Sequence, residues 1–387
     1  MKNQQSTHDF PYDILENILS RLPIKSLLRF KTVCKSWNAM IKDPGFAETH
    51  SKQSNISNSR CFFASHSLKH DTYSLIKFTG HEFYTESVCQ FQSEEYKFEH
   101  ILCGCEGILL FQQTNQETLK KKFVLLNPFT RNISTFSCPF FDETNAPRMH
   151  PSEGYGLCFD KYEDDYKFIA VLLGGKYMVY SIKNDSWVER RSELTGCLGR
   201  EGTYVNGVVY WVMSTCSSLF SYTGIVYFDP KDDLLKKLHG PEDFEHHGYF
   251  LTNLIGNLCL YTRFEGFVIR MWLLIEHEHG GGRKRWMKLP SVDMGEPSEE
   301  EDSEFFFAGI PLYLTSENEV VFQDELWGWT YAVITPTTKI WGSQGISWYT
   351  RIFQSSCLES LHFQPSGEND TMIVFVLIDY LLAHFHF

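Results

Sequence analysis

Two histidines flank a glutamate at His277, Glu278 and His279. On a strand, residues two apart share a face, so the pair could in principle hold a metal ion. No third ligand stands at a recognisable spacing, and "HEHGGG" has the composition of a charged hairpin tip. Cys103 and Cys105 form C-x-C rather than C-x-x-C and have no second pair to complete a zinc site. They read as buried thiols at a strand turn. "GGGRKR", Gly280 to Arg285, sets basic residues after glycines as phosphate loops do. It lacks the Gly-Lys-Ser/Thr ending and the following helix. His246-His247 has the surroundings of an exposed loop, and no G-x-S-x-G stands anywhere in the chain. The linear sequence therefore carries no active site, and neither a metal nor a cofactor is expected.

Charge points to partners instead. "EPSEEEDSE", Glu296 to Glu304, holds six acidic residues in nine and reads as a solvated loop able to steer a basic client. Ser298 and Ser303 within it suit an acidophilic kinase. Lys120 to Lys122 form a small basic counterpart. Across 387 residues, 35 basic against 48 acidic side chains leave a formal charge of −13. That balance argues against nucleic acid or an anionic membrane as partner. The start, "MKNQQSTHDF", has no apolar leader, so a cytoplasmic or nuclear location and reduced thiols are expected for the eleven cysteines. The apolar tail "TMIVFVLIDYLLAHFHF", Thr371 to Phe387, is short for a membrane span and contains Asp379. A closing strand, a hairpin or an apolar extension fits it better.

The elements fall into two kinds. Ile14, Leu15, Ile18, Leu19 and Leu22 follow the spacing of one helix face after Pro11. Pro23 stops that helix. "SLLRFK" begins a second, and "VCKSWNAMIKDP" gives a third, closed by Pro44. Three short helices make too small a core to stand alone, so they must pack on something. That partner is either the rest of this chain, which they would cap, or another protein.

The stretch resembles an F-box, the motif that docks a receptor onto the Skp-type adaptor of cullin-based ubiquitin ligases. The matching residues are Pro11, Ile14 and Leu15, Ile18 and Leu19, "RLP" at Arg21 to Pro23, "SLLRF" at Ser26 to Phe30 and "VCKSW" at Val33 to Trp37. Phe10 stands where Leu is usual. The resemblance implies an adaptor-binding face made of Pro11, Ile14, Leu15, Ile18, Leu19, Leu22, Pro23, Leu27, Leu28, Val33, Cys34, Lys35 and Trp37. A charge at Leu22 would then abolish adaptor binding.

Beyond the polar stretch "KQSNISNSR" the pattern changes to strands and turns. "FVLLNPFTRNISTF", "MVYSIKNDSWVER", "GIVYFDPKDDLLKKL", "MWLLIEHEHGGGRKRWMKL" and "YAVITPTTKIWG" each read as an apolar strand, a turn and a polar strand. About twenty residues before each lies a second hairpin-like run: "CGCEGILLF", "YGLCFDKYEDDYKFIAVL", "GTYVNGVVYWV", "LIGNLCLYTR" and "YLTSENEVVFQ". Inner and outer hairpins repeating at about 45–60 residues predict a β-propeller, with a β-sandwich array as the alternative.

"LLNPFTR", "YGLCFD…DYKFIAV", "VYSIKNDSW", "VNGVVYW" and "YFDP" resemble the F-box-associated, kelch-like domain of plant F-box proteins. The chain also resembles the S-locus F-box group. The fold expected is α+β and multidomain: a small three-helix F-box, then an all-β kelch-like β-propeller. The segments are 1–50 for the F-box, 51–60 for a linker, 61–365 for the propeller and 366–387 for an apolar extension. The resemblance implies a non-catalytic substrate receptor of an SCF-type ubiquitin ligase, binding a Skp-type adaptor, through it a cullin scaffold, and a client protein. A propeller with a helical cap and no ligase role, or a propeller enzyme with a channel-mouth site, are the competing readings.

Overall fold

The structure, a computed structural model, describes residues 11–43, 45–47, 49–50, 53, 59–66, 69–79, 82–92, 96–115, 117, 120–130, 132–138, 153–172, 174–194, 196–215, 218–242, 249–254, 256–262, 268–276, 284–293, 310–314, 320–323, 330–334, 339–343, 350–356 and 374–378. Three helices open it: α1 (Tyr12–Leu19), α2 (Ile24–Phe30) and α3 (Lys35–Lys42). Pro11 and Pro23 are the N-cap residues of α1 and α2, where a missing N–H is harmless. Pro23 thus starts the second helix rather than stopping the first, which already ends at Leu19. Cys34 caps α3, its Sγ accepting from the Trp37 N–H at 3.5 Å. Helix does not end for good at Pro44. Residues 45–47 and 49–50 are helical again, because Asp43 Oδ1 accepts from the N–H groups of Gly45 and Phe46 and restarts it.

The strands that follow make six antiparallel sheets of four or five strands, and a two-stranded ribbon, among the described residues. In chain order, the second sheet runs Tyr96–Cys105, Ile108–Asn115, Lys121–Leu126 and Ile133–Phe136. The third is Gly154–Asp160, Asp165–Val171, Lys176–Ser181 and Ser186–Arg191. The fourth starts on a split strand, Cys197–Leu198 and Thr203–Val205, and continues through Val208–Thr215, Ser218–Asp229 and Leu234–Leu238. The fifth is Tyr249–Leu254, Asn257–Thr262, Met271–Glu276 and Lys284–Lys288; the sixth is Ile310–Leu314, Val320–Gln323, Thr330–Ile334 and Lys339–Ser343. The first sheet closes the set, because Ser59–His66 pairs with Thr350–Ser356 from the far end of the chain. Val374–Ile378, from the apolar tail, adds to the other edge of that sheet beside Glu82–Gln92.

This order of sheets is that of a β-propeller. The first strands of successive sheets meet through hydrogen bonds: Tyr155 N–H to the Arg200 carbonyl, Thr203 Oγ1 to the Leu251 carbonyl and Thr252 Oγ1 to the Pro311 carbonyl. Separate apolar clusters fill the gaps between neighbouring sheets. Phe123, Phe136, Tyr155, Phe168 and Tyr180 pack between the second and third. Val179, Trp211 and Phe228 pack between the third and fourth, and Tyr210, Leu260 and Trp272 between the fourth and fifth. No sheet buries both faces alone, so the ring is the cooperative unit.

One packing point is tight enough to predict. Trp211 is buried and its indole N–H donates to the Tyr155 carbonyl at 3.0 Å. A Cβ at Gly156 would lie 2.5 Å from the Trp211 ring, and one at Gly202 would lie 2.7 Å from the Tyr155 carbonyl oxygen. Gly156→Ala is therefore expected to lower stability by about 1–3 kcal/mol through overpacking, measured by denaturant unfolding.

Cysteine chemistry needs one correction. Cys34, Cys103, Cys105, Cys138, Cys158 and Cys259 are free thiols, but Cys197 is disulfide-bonded. Cys197 stands opposite Ser214 in its ladder, so its neighbours are set by sheet register rather than by sequence spacing. Among the described residues no helix is long and apolar enough to cross a membrane.

Candidate functional site

The helical module presents two stripes. On α1, Leu19 is buried and Leu15 half-buried, while Ile14 and Ile18, four residues apart, are each 49% exposed. The apolar spacing that reads as one face is thus two adjacent ones. The inner stripe joins Ile24 and Leu27 of α2 and Met40 and Ile41 of α3, all buried. Trp37 sets its ring edge-on to Phe30, with centroids 5.4 Å apart, and locks α3 against α2. His50, buried, contacts the Leu22 carbonyl through Nε2 at 2.9 Å and ties the chain after α3 to the end of α1.

The outer stripe is open. Two further apolar side chains of the module are exposed away from it: Tyr12, on the Leu15–Leu19 side of α1, at 58%, and Val33, in the turn before α3, at 60%. With Ile14 and Ile18 they are four of the eight large exposed apolar side chains among the described residues. Pro11, Pro23, Cys34 and Lys35 are also exposed, and Leu22, Leu28 and Trp37 are half-buried. Leu19 and Leu27, expected on the docking face, lie instead in the chain's own core, at 1% and 0% exposure. The sequence reasoning omitted Tyr12, whose aromatic ring at the first helical position was the available signal.

The module is also basic. From Tyr12 to Lys42 six basic residues (Arg21, Lys25, Arg29, Lys31, Lys35, Lys42) oppose two acidic ones (Asp13, Glu16), a balance of +4 within a chain of −13. Burial, then the nearby Lys42, holds the Lys31 ammonium below its ordinary value.

The other candidates do not converge on a reactive centre. Cys103 and Cys105 are buried; burial pushes the Cys103 thiol up to about 12 and Cys105 well above its usual range. Both are therefore protonated and unreactive near neutral pH. Tyr204 donates its hydroxyl to Glu106 Oε1 at 2.7 Å and joins the fourth sheet to the turn after Tyr96–Cys105. Lys121 of the basic triplet pairs with Glu153 at 2.8 Å. Among the described residues no three His, Cys, Asp or Glu side chains are grouped to hold a metal ion. The His277–Arg283 part of the glycine-basic hairpin, His246-His247 and the acidic run 296–304 lie outside the described residues.

Three short helices followed by a ring of four- and five-stranded antiparallel sheets define a class of proteins in which a small helical module precedes a β-propeller. The chain matches the F-box domain over residues 8–49 and the F-box associated beta propeller domain over residues 53–335. It belongs to the family of F-box proteins with an F-box-associated β-propeller. An F-box/kelch-repeat protein of Arabidopsis thaliana is 28% identical over 307 residues, covering 74% of this chain and 80% of that protein. An F-box protein of the same plant is 24% identical over 323 residues, covering 76% and 81%. Among solved structures, a putative 6-phosphogluconolactonase from Bacteroides uniformis is 9% identical with a TM-score of 0.39, covering 77% of this chain and 100% of that one. The propeller domain of the Trilobed protease from Pyrococcus furiosus is 9% identical with a TM-score of 0.35, covering 74% and 86%.

Proposed function

We propose that the chain is the substrate-recognition subunit of an SCF-type E3 ubiquitin ligase. Its outer helical stripe docks a Skp-type adaptor, which brings a cullin scaffold, and its β-propeller holds a client protein for ubiquitination. The observation that carries this reading is the concentration of exposed apolar side chains at Tyr12, Ile14, Ile18 and Val33. Isolated exposed apolar residues are ordinary, but a cluster on one module marks a surface that a partner covers. A helical cap on the propeller accounts for the inner stripe alone and leaves the outer one unexplained.

In this reading the docking set narrows to the exposed Pro11, Tyr12, Ile14, Ile18, Pro23, Val33, Cys34 and Lys35, backed by the half-buried Leu15, Leu22, Leu28 and Trp37. Residues 1–50 form the docking module, 51–58 the linker, 59–365 the client-binding unit, whose first strand begins at Ser59, and 366–387 an apolar extension that lends Val374–Ile378 to the first sheet. The chain is not itself catalytic: transfer is accelerated by holding a client lysine near a conjugating enzyme that other subunits carry. A cytoplasmic or nuclear setting suits this role.

The basic module implies an acidic rim on the adaptor. Titrating purified plant Skp-type adaptor into the full chain tests both points. Binding is expected, weakening by about tenfold between about 0.05 and about 0.5 M salt as rim charges are screened. Absence of binding at every salt concentration would overturn the ligase reading.

A further inference from the structure

The inner stripe of the helices does not end within the helical module. Leu19, Leu27, Ile41 and Phe46 share one continuous apolar cluster with Leu126, Phe129 and Ile133 of the second sheet. Phe129 is the informative member. It sits in the turn between Lys121–Leu126 and Ile133–Phe136, where a side chain ordinarily meets water, yet it is only 7% exposed. The turn that carries it is held firmly. Asn127, fully buried, accepts at Oδ1 from the N–H groups of Phe129 and Thr130, each at 3.0 Å. Its own N–H donates to the Asn132 carbonyl at 2.9 Å. On the helical side, Asp43 and His50 fasten the chain back onto the module before it departs for the propeller.

From this geometry we infer that the second sheet is the seat of the helical module, and that Phe129 is a positioning residue that fixes the module's direction relative to the propeller. Between His50 and Ser59 there are eight residues, of which Gln53 is helical. The apolar seat at the Asn127–Thr130 turn adds a second point of attachment to the covalent one. The consequence for ubiquitin transfer rests on the ligase reading: a fixed module holds the client at a fixed distance from the charged conjugating enzyme. The coupling itself does not depend on it.

The test uses the full chain and limited proteolysis of the 51–58 tether. Phe129→Ser is expected to raise the cleavage rate at that tether at least tenfold while adaptor affinity stays within about twofold of the parent. Phe129→Leu, which keeps an apolar side chain, is expected to restore slow cleavage. Wild-type cleavage rates in Phe129→Ser would overturn the inference. So would loss of adaptor binding, which would make Phe129 a support for the helices' own fold. Should Phe129→Ser fail to fold, lysine cross-linking of the unmodified chain decides. Links from Lys42 to Lys121 or Lys122 support the seat, and their absence overturns it. Slow tether cleavage in the parent without any adaptor binding would leave the seat standing and remove only the ligase reading.

Discussion

Ile18→Asp is expected to weaken adaptor binding by at least a hundredfold while leaving the melting temperature of the chain near that of the parent. Ile18 is half exposed at the middle of the outer stripe, one helical turn from Ile14. In the free chain a carboxylate there reaches water, and Ile18 is not a member of the buried cluster. In the complex it would be buried opposite an apolar surface, and an unpaired buried charge costs several kcal/mol. Each 1.4 kcal/mol is a factor of ten in affinity, so a hundredfold loss is a modest expectation. A charge at Leu22 or Leu19 is a poorer probe. Leu22 packs against the inner cluster and Leu19 belongs to it, so either change would unfold the module and lose binding for the wrong reason. Titration alongside thermal unfolding separates the two cases. Parental affinity in Ile18→Asp would show that the adaptor does not use the outer stripe.

The second large effect concerns the propeller. Lys167 lies 2.8 Å from Asp160, 2.9 Å from Asp233 and 3.2 Å from Glu163, and also donates to the Pro230 carbonyl at 3.2 Å. Lys167 and Asp160 are 5% and 2% exposed at their side chains. The cluster joins the third sheet to the turn after Ser218–Asp229 in the fourth, which Tyr177 also reaches through the Asp233 carbonyl. Lys167→Met removes the one cation that all three carboxylates share. Breaking the buried Lys167–Asp160 pair from one side costs about 3–5 kcal/mol, a large share of a domain's stability, while the exposed Glu163 adds little. Denaturant unfolding is expected to show that loss, and a loss below about 1 kcal/mol would contradict the role assigned to Lys167.

The same cluster sets an acid limit. Burial alone would raise the Asp160 carboxyl, but the bonds from Lys167 and the Tyr162 N–H outweigh it and hold the group below its ordinary value. A depressed folded-state pKa means the stabilisation is complete above the usual aspartate range and is lost as pH falls through the folded value. The parent should therefore lose stability below about pH 4. In Lys167→Met that acid step should shrink, because the carboxyl no longer has its cation.

Much of this fold was legible in the sequence, for a local reason. Ten hairpin-like runs name the strand pairs of the second to sixth sheets, because each pair is joined by a short turn with Asn-Gly, Asp-Pro or similar chemistry. Asn206 and Gly207, both at positive φ between Thr203–Val205 and Val208–Thr215, are one such turn. The first sheet escaped, since Ser59–His66 finds its partner at Thr350–Ser356 and no turn marks that pairing. The three helices were legible from apolar spacing and proline. Their division into two stripes was not, because Ile14 and Leu15 are equally apolar and periodicity cannot say which neighbour covers each. Phe129 looked like part of a turn signal, and its burial appears only in the apolar cluster that the helices and the second sheet share. Lys167 and Asp233, 66 residues apart, meet only once the ring of sheets has formed.

The central claim is that one set of helices faces two ways, seated on the second sheet inside and open to an adaptor outside. Amide hydrogen exchange of the full chain, with and without a plant Skp-type adaptor, tests it most directly. The account predicts slowed exchange on adaptor addition at residues 12–18 and 33–38, with residues 96–136 unchanged and already slow in the free chain. Slowing confined to the sheets, or no change anywhere, would contradict it.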